Sequence, residues 1–425
     1  MRIWMAAALI ALTGCGQQQQ QNQAAPAAAP GLRETVRDAR VAHFYEGRGW
    51  RTAWTPAGEA ALTAAIGEAE RHALDGGAFL APVRAAQTPA ARDAALSLAA
   101  LSYAEALARG RTNPARLHEV YTVPRPDPDL AAGLNDALRR DELAGWLRGL
   151  APQDDEYRLL SQAYVEANGQ VAQAHGHPPA ALLDRARALA VNLERRRWLE
   201  REPPATRIDV NTGAATLAYV RDGKVAETRR VVVGEPGHET PELASPLYRL
   251  AANPTWTVPR SIEEREIAPK GEAYLRRNDM ERRDGWIVQR SGPRNSLGLV
   301  KFDLRNDQEI YLHDTPAKGL FARADRHASH GCVRVADALG FAAMIAGDQG
   351  VADQWRDALA TGEEGFVPLP RPIPVRLLYH TVFVDRGRIV FAPDVYGWDE
   401  GVAEALGLPR RPRPAAAAQS RDLGP

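Results

Sequence analysis

Ser329-His330-Gly331-Cys332 lies near the end of the stretch from Tyr311 to Val335, and this stretch decides how the rest of the chain is interpreted. Cys332 is the only cysteine outside the first fifteen residues, and His313 precedes it within the same stretch. A thiol needs a nearby base to become a thiolate at neutral pH, and an imidazole on a neighbouring strand can supply one. The sequence therefore predicts that Cys332 is a nucleophile and that His313 is its base.

The residues around this pair supply the other groups that acyl transfer requires. Alternation along a predicted strand, Glu309 to His313, puts Tyr311 and His313 on one face. The backbone carbonyl near Asp314, or the carboxylate of that residue, is predicted to hold the imidazole tautomer. The amides of Gly331 and Cys332 are predicted oxyanion donors, joined by Tyr311.

A helix is predicted from Val335 to about Ala346, because apolar residues recur there at helical spacing before Gly347. Its first turn would then lie close to Cys332. The partial positive charge of a helix N-terminus favours a thiolate. The sequence therefore predicts that this helix helps to activate the thiol.

Three neighbouring side chains each allow two interpretations. His330 either polarises the site as a second donor or is a packed residue that shapes the turn. His327 is expected on the surface. Arg334 either clamps a carboxylate through its fork of donors or is a solvated charge, and we favour the clamp.

Two rival interpretations exist for the whole cluster. His313, His327, His330 and Cys332 are residue types that bind zinc, although no second compact ligand pair accompanies them. The other rival interpretation makes Cys332 an inert buried thiol, a common fate of free cysteine. We favour the nucleophile, and we expect no metal and no cofactor.

Length and charge set the broad class of this protein. The 425 residues are enough for two or three domains with a substantial core. The formal net charge is zero, with 53 basic and 53 acidic side chains. Such a balance creates no overall field that attracts nucleic acid or an anionic membrane, so no nucleic-acid partner is expected.

The first residues are typical of an export signal. Arg2 precedes an apolar run from Ile3 to Leu12 that is too short to span a bilayer. Residues 1–15 are therefore a predicted signal peptide. Residues 16–32, rich in glutamine, alanine and proline, are a predicted disordered tether.

Leu12-Thr13-Gly14-Cys15 resembles the bacterial lipobox, in which the signal is cleaved before a cysteine that then receives lipid. The alternative is a plain secretory signal with an incidental cysteine. Gly16 is not the aspartate associated with inner-membrane retention, so the resemblance implies a lipid anchor on Cys15 in the outer membrane, facing the periplasm. Cys332 would then be the single cysteine available in an oxidising compartment, where no intramolecular disulfide could form.

The periodicity of the chain divides it into two parts. Residues 33–200 show helical spacing and are a predicted all-helical scaffold domain. Within it, Thr55-Pro56 is expected to open a helix that Gly76-Gly77 closes, and Thr88-Pro89 to open another that ends before Gly110. Glu202-Pro203-Pro204 marks a boundary. Residues 206–396 alternate and are a predicted mostly β domain, with a cap or flap insertion at about 260–291, and residues 409–425 form a predicted disordered tail. The expected fold class is α+β.

His313 followed by Ser329-His330-Gly331-Cys332-Val333-Arg334 resembles the signature of the L,D-transpeptidases, which have a YkuD-type catalytic domain. Further stretches resemble the large Gram-negative branch of that family. They include Asn192-Leu193-Glu194-Arg195, Asn253-Pro254-Thr255-Trp256, Gly292-Pro293-Arg294-Asn295, Val300-Lys301-Phe302 and Tyr311-Leu312-His313-Asp314. The resemblance implies a mostly β catalytic domain.

The resemblance also implies peptidoglycan chemistry on stem peptides. A cysteine, here Cys332, would attack the carbonyl after the L-centre of diaminopimelate in a donor tetrapeptide and expel D-alanine. The thioester would then pass to the side-chain amine of a second diaminopimelate and give a 3-3 cross-link. His313 would act as base and then acid, and carbapenems would acylate the cysteine.

The same resemblance implies further roles in the site. Tyr311 and the amides of Gly331 and Cys332 would stabilise the oxyanion, and Arg334 would meet a substrate carboxylate. Ser329, Asn295 and Trp256 are predicted substrate-binding residues.

Two departures and two alternatives remain at this point. Many relatives have asparagine where this chain has Arg334, and the segment Gly169 to Leu183 is too short for the peptidoglycan-binding module that large relatives insert there. A hydrolase, either an L,D-carboxypeptidase or an amidase, would use the same thioester but give it to water. A non-enzymatic peptidoglycan-binding lipoprotein is the alternative from another class.

Overall fold

A computed structural model describes residues 31–174 and 176–408. The predicted signal peptide with Cys15, the tether up to residue 30 and the predicted tail lie outside the described residues. Leu32, which the prediction assigned to the tether, begins a short helix and is fully buried. Within the described ranges, no helix has both the length and the apolar character needed to cross a membrane.

The N-terminal part of the described chain is helical, as the sequence predicted. Its helices are α1 (Leu32–Thr35), α2 (Ala39–Glu46), α3 (Pro56–Gly67), α4 (Gly76–Ala85), α5 (Pro89–Arg109), α6 (Pro114–Leu117), α7 (Leu130–Arg140), α8 (Leu143–Leu150), α9 (Asp155–Gln173) and α10 (Ala180–Trp198), with a 3₁₀ turn at Ala69–His72. The predicted α+β organisation, with a helical region before a mostly β domain, is confirmed.

Helix α5 is the centre of the helical part. Thr88 caps its first turn by accepting a hydrogen bond from the Ala91 amide, Pro89 occupies the first position, and Gly110 ends it at φ 80°. Its alanine-rich surface is buried on most sides and lets neighbouring helices approach closely. A buried carboxylate, Asp93, receives the Tyr45 hydroxyl and ties α2 to α5. The helices therefore share one core.

One prediction within this part is wrong. Gly76-Gly77 does not close the helix that starts at Pro56, because α3 ends at Gly67. Gly76 instead opens α4, since the Asp75 side chain accepts a hydrogen bond from the Ala78 amide and caps the new helix.

The C-terminal part is built on a nine-stranded sheet, counted over the described residues, in the order β10-β3-β11-β9-β8-β4-β12-β1-β2. The strands are β1 (Arg207–Asn211), β2 (Thr216–Arg221), β3 (Lys224–Gly234), β4 (Leu243–Ala252), β5 (Trp256–Thr257), β6 (Met280–Arg283), β7 (Trp286–Gln289), β8 (Val300–Leu304), β9 (Leu312–His313), β10 (His327–Ser329), β11 (Val333–Val335), β12 (Gly365–Leu378), β13 (Val382–Asp385) and β14 (Arg388–Phe391). The helices of this part are α11 (Arg260–Ile262), α12 (Gly271–Arg277), α13 (Ala338–Asp348), α14 (Ala352–Ala360) and α15 (Trp398–Ala405).

One face of the sheet is covered by α13 and α14, and the other face carries the candidate site. Apolar residues of alternate positions in the central strands, such as Val300 and Phe302 of β8, pack with Phe341 and Ile345 of α13. Polar residues at the intervening positions face the opposite side. The helices therefore complete the core on one face of the sheet, and they leave the other face uncovered on the side of the candidate site.

The predicted cap insertion is ordered and has a small core of its own. Between α11 and α12 the backbone forms a π turn, Glu263–Ile267, and a 3₁₀ turn, Ala268–Lys270. Strands β5, β7 and β6 form a separate three-stranded sheet, and the buried residues of the cap include Trp256, Ile262 and Leu275. Its strands are only two to four residues long, so alternation along them is too short to be recognised in the sequence.

Helix α10 joins the helical part to the β domain through buried polar contacts. Asn192 donates to the Thr381 hydroxyl at 2.8 Å and accepts from the Thr381 amide at 3.0 Å. Arg195 forms a buried ion pair with Asp399 of α15. The Asn192-to-Arg195 stretch, one of those that carried the family resemblance, therefore holds the two parts together.

Candidate active site

The strand register places the predicted nucleophile and base on one face of the sheet. In the parallel pair β9–β11, His313 lies opposite Arg334 and Leu312 opposite Val333. Side chains alternate along a strand, so Tyr311, His313, Cys332 and Arg334 project from the same side. The predicted nucleophile and base are therefore carried by neighbouring strands and face the same side of the sheet.

A cleft of about 1310 Å³ lies between this face and the cap. Cys332 and Tyr311 line it together with Trp256 from the cap and with His330 from the turn Ser329 to Cys332, called the catalytic turn below. Charged side chains from both walls also reach it, among them Arg249, Lys301, Asp303, Arg260, Arg265, Glu266 and Glu309. The cleft is thus large enough for an extended polar substrate that reaches the sulfur.

His313 is fully buried, and its tautomer is fixed by the backbone. Nδ1 lies 2.5 Å from the carbonyl oxygen of Asp314, and because a carbonyl can only accept, Nδ1 carries the proton. Nε2 is therefore the unprotonated ring nitrogen. The sequence left the Asp314 carbonyl and carboxylate as alternatives, and the structure selects the carbonyl.

The Asp314 carboxylate has a different task. It accepts a hydrogen bond from the Leu299 amide at 3.1 Å and pairs with Lys318. Gly298 passes so close that a Cβ there would lie 2.3 Å from the carboxylate, and its φ is 62°. Asp314 therefore anchors the loop before β8 against β9, and through its carbonyl it orients the base.

Cys332 is buried, and burial raises the pKa of its thiol to about 11. The backbone N–H and the hydroxyl of Tyr311 both donate to the sulfur and oppose this shift, as do the charges of Lys301 and Arg334. Burial therefore disfavours the thiolate, so attack by Cys332 needs a base that accepts the thiol proton.

The predicted activation by a helix N-terminus is wrong. Cys332 is followed by strand β11, and α13 begins only at Ala338, with Asp337 as its capping residue. The apolar spacing of Val335 and Leu339 that suggested an earlier start is explained by core-facing positions of a strand and then of a helix. Positive charge near the sulfur comes from side chains instead.

Tyr311 has a hydroxyl that remains protonated. Burial, followed by the nearby Cys332, raises the pKa of this phenol well above its usual range. The Tyr311 ring packs edge-on against His313, with ring centres 5.7 Å apart. Tyr311 therefore lies beside both the base and the sulfur of Cys332.

Gly331 permits the turn before the nucleophile but does not present its amide to the cleft. Its φ of 111° lies in the region that favours glycine. Its N–H points to the Ser329 hydroxyl at 3.3 Å, and its carbonyl accepts from the Thr240 hydroxyl at 2.8 Å. The prediction that the Gly331 amide is an oxyanion donor is corrected, because that amide is used within the turn.

Ser329 is also a residue of the turn. It is buried, and its hydroxyl donates to the Cys332 carbonyl at 2.6 Å. It does not line the cleft, so its predicted role in substrate binding is corrected to fixing the backbone on either side of Gly331.

His330 lies in the cleft wall and connects the catalytic turn to the cap. Its Nε2 is 2.6 Å from Glu266 Oε1, and its ring packs edge-on against His238 with centres 5.0 Å apart. Of the two interpretations, packing and tethering describe its contacts.

The prediction that His327 lies on the surface is wrong. It is buried, with Nδ1 2.7 Å from Asp325 and Nε2 3.0 Å from the carbonyl of Thr212. The reason is that β10 pairs with β3, which places His327 opposite Val233 inside the fold. His327 and His330 thus have separate partners, and the described residues contain no group of three His, Cys, Asp or Glu arranged for a metal.

Arg334 and Asn295 are both 2% exposed and do not line the cleft. Arg334 lies in β11, where its charge lowers the pKa of Cys332. The Asn295 amide donates to the Arg290 carbonyl at 2.9 Å and accepts from the Leu297 amide at 2.8 Å, which closes the loop between β7 and β8. Both side chains are buried behind the cleft surface, and the substrate-binding roles of both residues stay predictions.

Residues 205–362 match the family model described as the YkuD L,D-transpeptidase catalytic domain, and this range includes Tyr311, His313 and Cys332. The chain therefore carries an L,D-transpeptidase catalytic domain. Residues 39–163 match a second model, described as a scaffold domain. The domain order, a scaffold before an L,D-transpeptidase domain, agrees with the family predicted from the sequence.

Individual relatives are more distant. A Haemophilus influenzae protein, provisionally named an L,D-transpeptidase, is 28% identical over 306 residues, which are 66% of this chain and 60% of the relative. This chain thus spans 60% of the length of the curated relative that it matches.

Solved structures of L,D-transpeptidases also match. The enzyme from Mycobacterium smegmatis gives a TM-score of 0.24 at 14% identity, over 41% of this chain and 58% of that chain. A mutant of the Enterococcus faecium enzyme gives 0.22 at 13% identity, over 42% and 53%. TM-scores of this size establish no structural equivalence.

Several residues of the L,D-transpeptidase domain were missed by sequence reasoning. Thr240 holds the Gly331 carbonyl, Glu266 holds His330, and Lys301 lies beside Tyr311. Lys301 belongs to a stretch that carried the family resemblance, so a signal was present but was not assigned a role. Thr240 and Glu266 had none, because each acts across a long sequence separation.

Proposed function

We propose that this protein is a cysteine-dependent L,D-transpeptidase that forms 3-3 cross-links in peptidoglycan. The observation that carries the proposal is the placement of Cys332 beside Tyr311 and on the same sheet face as the Nε2-basic His313, at a cleft within an L,D-transpeptidase domain. The substrate class comes from the family, and the roles below come from the positions of the side chains.

The first step is acylation by a donor tetrapeptide stem. His313 Nε2 accepts the thiol proton as the sulfur attacks the carbonyl after the L-centre of diaminopimelate, and a C–S bond forms. The C–N bond to D-alanine then breaks, and the imidazolium returns its proton to the departing amine. Burial disfavours the thiolate of Cys332, so we place proton removal and attack in one step.

Charge on the carbonyl oxygen needs a donor during this step. The Tyr311 hydroxyl, which stays protonated, is the donor on the cleft side of the sulfur. The Cys332 amide remains a second predicted donor, whereas the Gly331 amide is used by Ser329.

The second step transfers the acyl group. The side-chain amine of a second diaminopimelate attacks the thioester, a C–N bond forms and the C–S bond breaks. His313 takes a proton from that amine, and the sulfur leaves as the thiolate and recovers a proton from the imidazolium. Carboxylates and cations on the two walls of the cleft suit peptides that carry both signs of charge.

The place of action is part of the same proposal. A lipid on Cys15 would hold the enzyme in the outer membrane, facing the periplasm, as the lipobox-like stretch implies. Cell fractionation tests this. Wild type should sediment with outer-membrane vesicles and Cys15→Ala should be released, whereas equal distribution of the two would reject the anchor.

The deciding experiment is incubation with purified muropeptides that carry tetrapeptide stems, followed by mass spectrometry. A 3-3 dimer and free D-alanine are expected from wild type, and neither from Cys332→Ala. Tripeptide without dimer would overturn transpeptidation in favour of hydrolysis of the same thioester. An unchanged substrate would reject both, provided that a carbapenem adduct on Cys332 shows that the protein is folded.

A further inference from the structure

Lys301 lies at the centre of the catalytic face, in a position set by strand register. It lies opposite His313 in the antiparallel pair β8–β9 and opposite Ala251 in the pair β4–β8. Paired residues project from the same side of a sheet, so the lysine side chain shares the face that carries Tyr311 and Cys332. It also lines the cleft.

The ammonium group is positioned over the catalytic tyrosine. Lys301 Nζ lies 4.3 Å from the centre of the Tyr311 ring, within the range of a cation–π interaction. The same nitrogen is 2.8 Å from Asp303 Oδ1. These two contacts fix the direction of an otherwise flexible side chain.

Asp303 is itself held in place. It is 5% exposed, and its second oxygen accepts a hydrogen bond from Arg249 on β4. Arg249 stacks on Phe366 with its guanidinium carbon 4.1 Å from the ring centre. Arg249, Asp303 and Lys301 thus form a row of charges along the cleft face, with one end over Tyr311 and the other over Phe366 of β12.

A cation in this position changes the chemistry of two groups. It draws electron density from the Tyr311 ring, which makes the hydroxyl a stronger donor to the sulfur. Its charge also favours the anionic form of a sulfur that burial disfavours. Both effects act in the direction that attack by Cys332 requires.

We propose that Lys301 is a positioning residue that acts through Tyr311 to stabilise the sulfur of Cys332 as it becomes anionic. Its value for catalysis rests on the proposed function, whereas its effect on thiol reactivity does not need a substrate. Other charged or titratable groups face the same site. Besides Asp303 and Arg249 they are His313, Arg334, Glu309, His330, Arg265, Glu266, Arg260, Glu235, His238, Tyr248 and Glu364.

Alkylation of Cys332 by iodoacetamide tests the proposal. The full chain is alkylated at pH 8, and the peptide that contains Cys332 is followed by mass spectrometry, which separates it from any signal from Cys15. Lys301→Met keeps the length of the side chain and removes the charge. We expect its alkylation rate to fall about tenfold, equal to a pKa rise of about one unit. Lys301→Arg should stay within about threefold of wild type.

Arg305, directly after the last residue of β8, offers a matched control. Arg305 carries the same charge, is exposed, and lies over Tyr248 instead of Tyr311. Arg305→Met should leave the alkylation rate unchanged, and all variants should react equally in 8 M urea. An unchanged rate in Lys301→Met, or an equal loss in Arg305→Met, would overturn the proposal.

Two further measurements separate an effect of the lysine from unfolding and from failure of the proposed function. If Lys301→Met unfolds at a lower urea concentration than wild type, Lys301→Gln, which keeps a polar end toward Asp303, replaces it and carries the same expectations. Muropeptide cross-linking is measured in parallel. Slower alkylation without any cross-linking by wild type would support the lysine and reject the proposed function, and normal alkylation with cross-linking would do the reverse.

Discussion

The Thr240 hydroxyl donates to the carbonyl of Gly331 at 2.8 Å and accepts from the amide of Gly234 at 2.9 Å. Thr240 is fully buried. It therefore connects the end of β3 to the peptide that precedes the nucleophile. A residue far from the Ser-His-Gly-Cys stretch in sequence thus fixes the position of the sulfur.

Thr240→Val should weaken both stability and catalysis. The substitution keeps the shape of the side chain but leaves a buried carbonyl and a buried amide without their partner, at about 1–3 kcal/mol for each group. Urea unfolding should show the loss of stability, and carbapenem acylation of Cys332 should slow. Thr240→Ser keeps the hydroxyl and should retain most of both properties. Equal acylation rates in Thr240→Val and wild type would show that the turn holds its shape without this contact.

His313→Ala should reduce acylation by on the order of 10²- to 10⁴-fold at neutral pH, because it removes the imidazole that is proposed to take the thiol proton. The loss should shrink as pH rises. The pKa of Cys332 is about 11, so the fraction of thiolate grows about tenfold for each pH unit below that value, and thiolate needs no base. Acylation rates from pH 7 to 10 test this, with His43→Ala in the helical scaffold as a control that should match wild type. Near-normal turnover of His313→Ala at pH 7 would reject its role as base.

Glu266→Ala should loosen the cap. Glu266 lies in the π turn of the cap and is 2.6 Å from His330, so its removal breaks a direct contact between the cap and the catalytic turn. We expect KM for muropeptides to rise more than kcat falls, and tryptic cleavage within α12, after Arg276 or Arg277, to become faster. Glu264→Ala, in the same turn but exposed, is the matched control. Equal resistance of both variants to trypsin would show that the contact between Glu266 and His330 does not hold the cap in place.

Local signals predicted the parts of the fold that depend on local chemistry. Helix α5 could be delimited because a capping threonine, a proline and a glycine all belong to the same short segment. The predicted strand from Glu309 to His313 was too long for a similar reason. Glu309 has φ 55°, and the Asn306 side chain bonds both the amide and the carbonyl of Ile310, so a turn occupies the first half.

The candidate site was predicted only where its residues share one motif. Cys332, His313 and Tyr311 lie within one stretch, and their chemistry is visible in their residue types. Lys301 and Thr240 act on the same sulfur from strands or loops whose register no single sequence specifies. The sequence assigned Arg334 and Ser329 to substrate binding, but both side chains are buried. Whether a side chain is buried depends on the neighbouring strands, which the motif alone does not show.

A pH-dependent contact joins the scaffold to the catalytic domain. His118 Nε2 and Glu242 Oε2 lie 3.2 Å apart, and both side chains are buried. Burial raises the pKa of Glu242 to about 7, although the charge of Arg195 opposes this, and burial together with that charge lowers the pKa of His118 to about 4. Around pH 5–6 the pair is therefore a carboxylic acid beside a neutral imidazole.

The two shifts give opposite effects on stability. The contribution of Glu242 is fully present below its ordinary pKa of 4.5 and is lost as pH rises through 7, by roughly 3 kcal/mol at most. The contribution of His118 is fully present above its ordinary pKa of 6.5 and is lost as pH falls through 4. Glu242→Gln can still accept a hydrogen bond from the Tyr379 amide, and its stability relative to wild type should therefore increase as pH rises from 4.5 to 7.5. The stability of His118→Asn relative to wild type should increase as pH falls. Urea unfolding across this range measures both slopes. Parallel curves for Glu242→Gln and wild type would show that the carboxyl group is ionised in the folded protein throughout, in which case Arg195 outweighs burial.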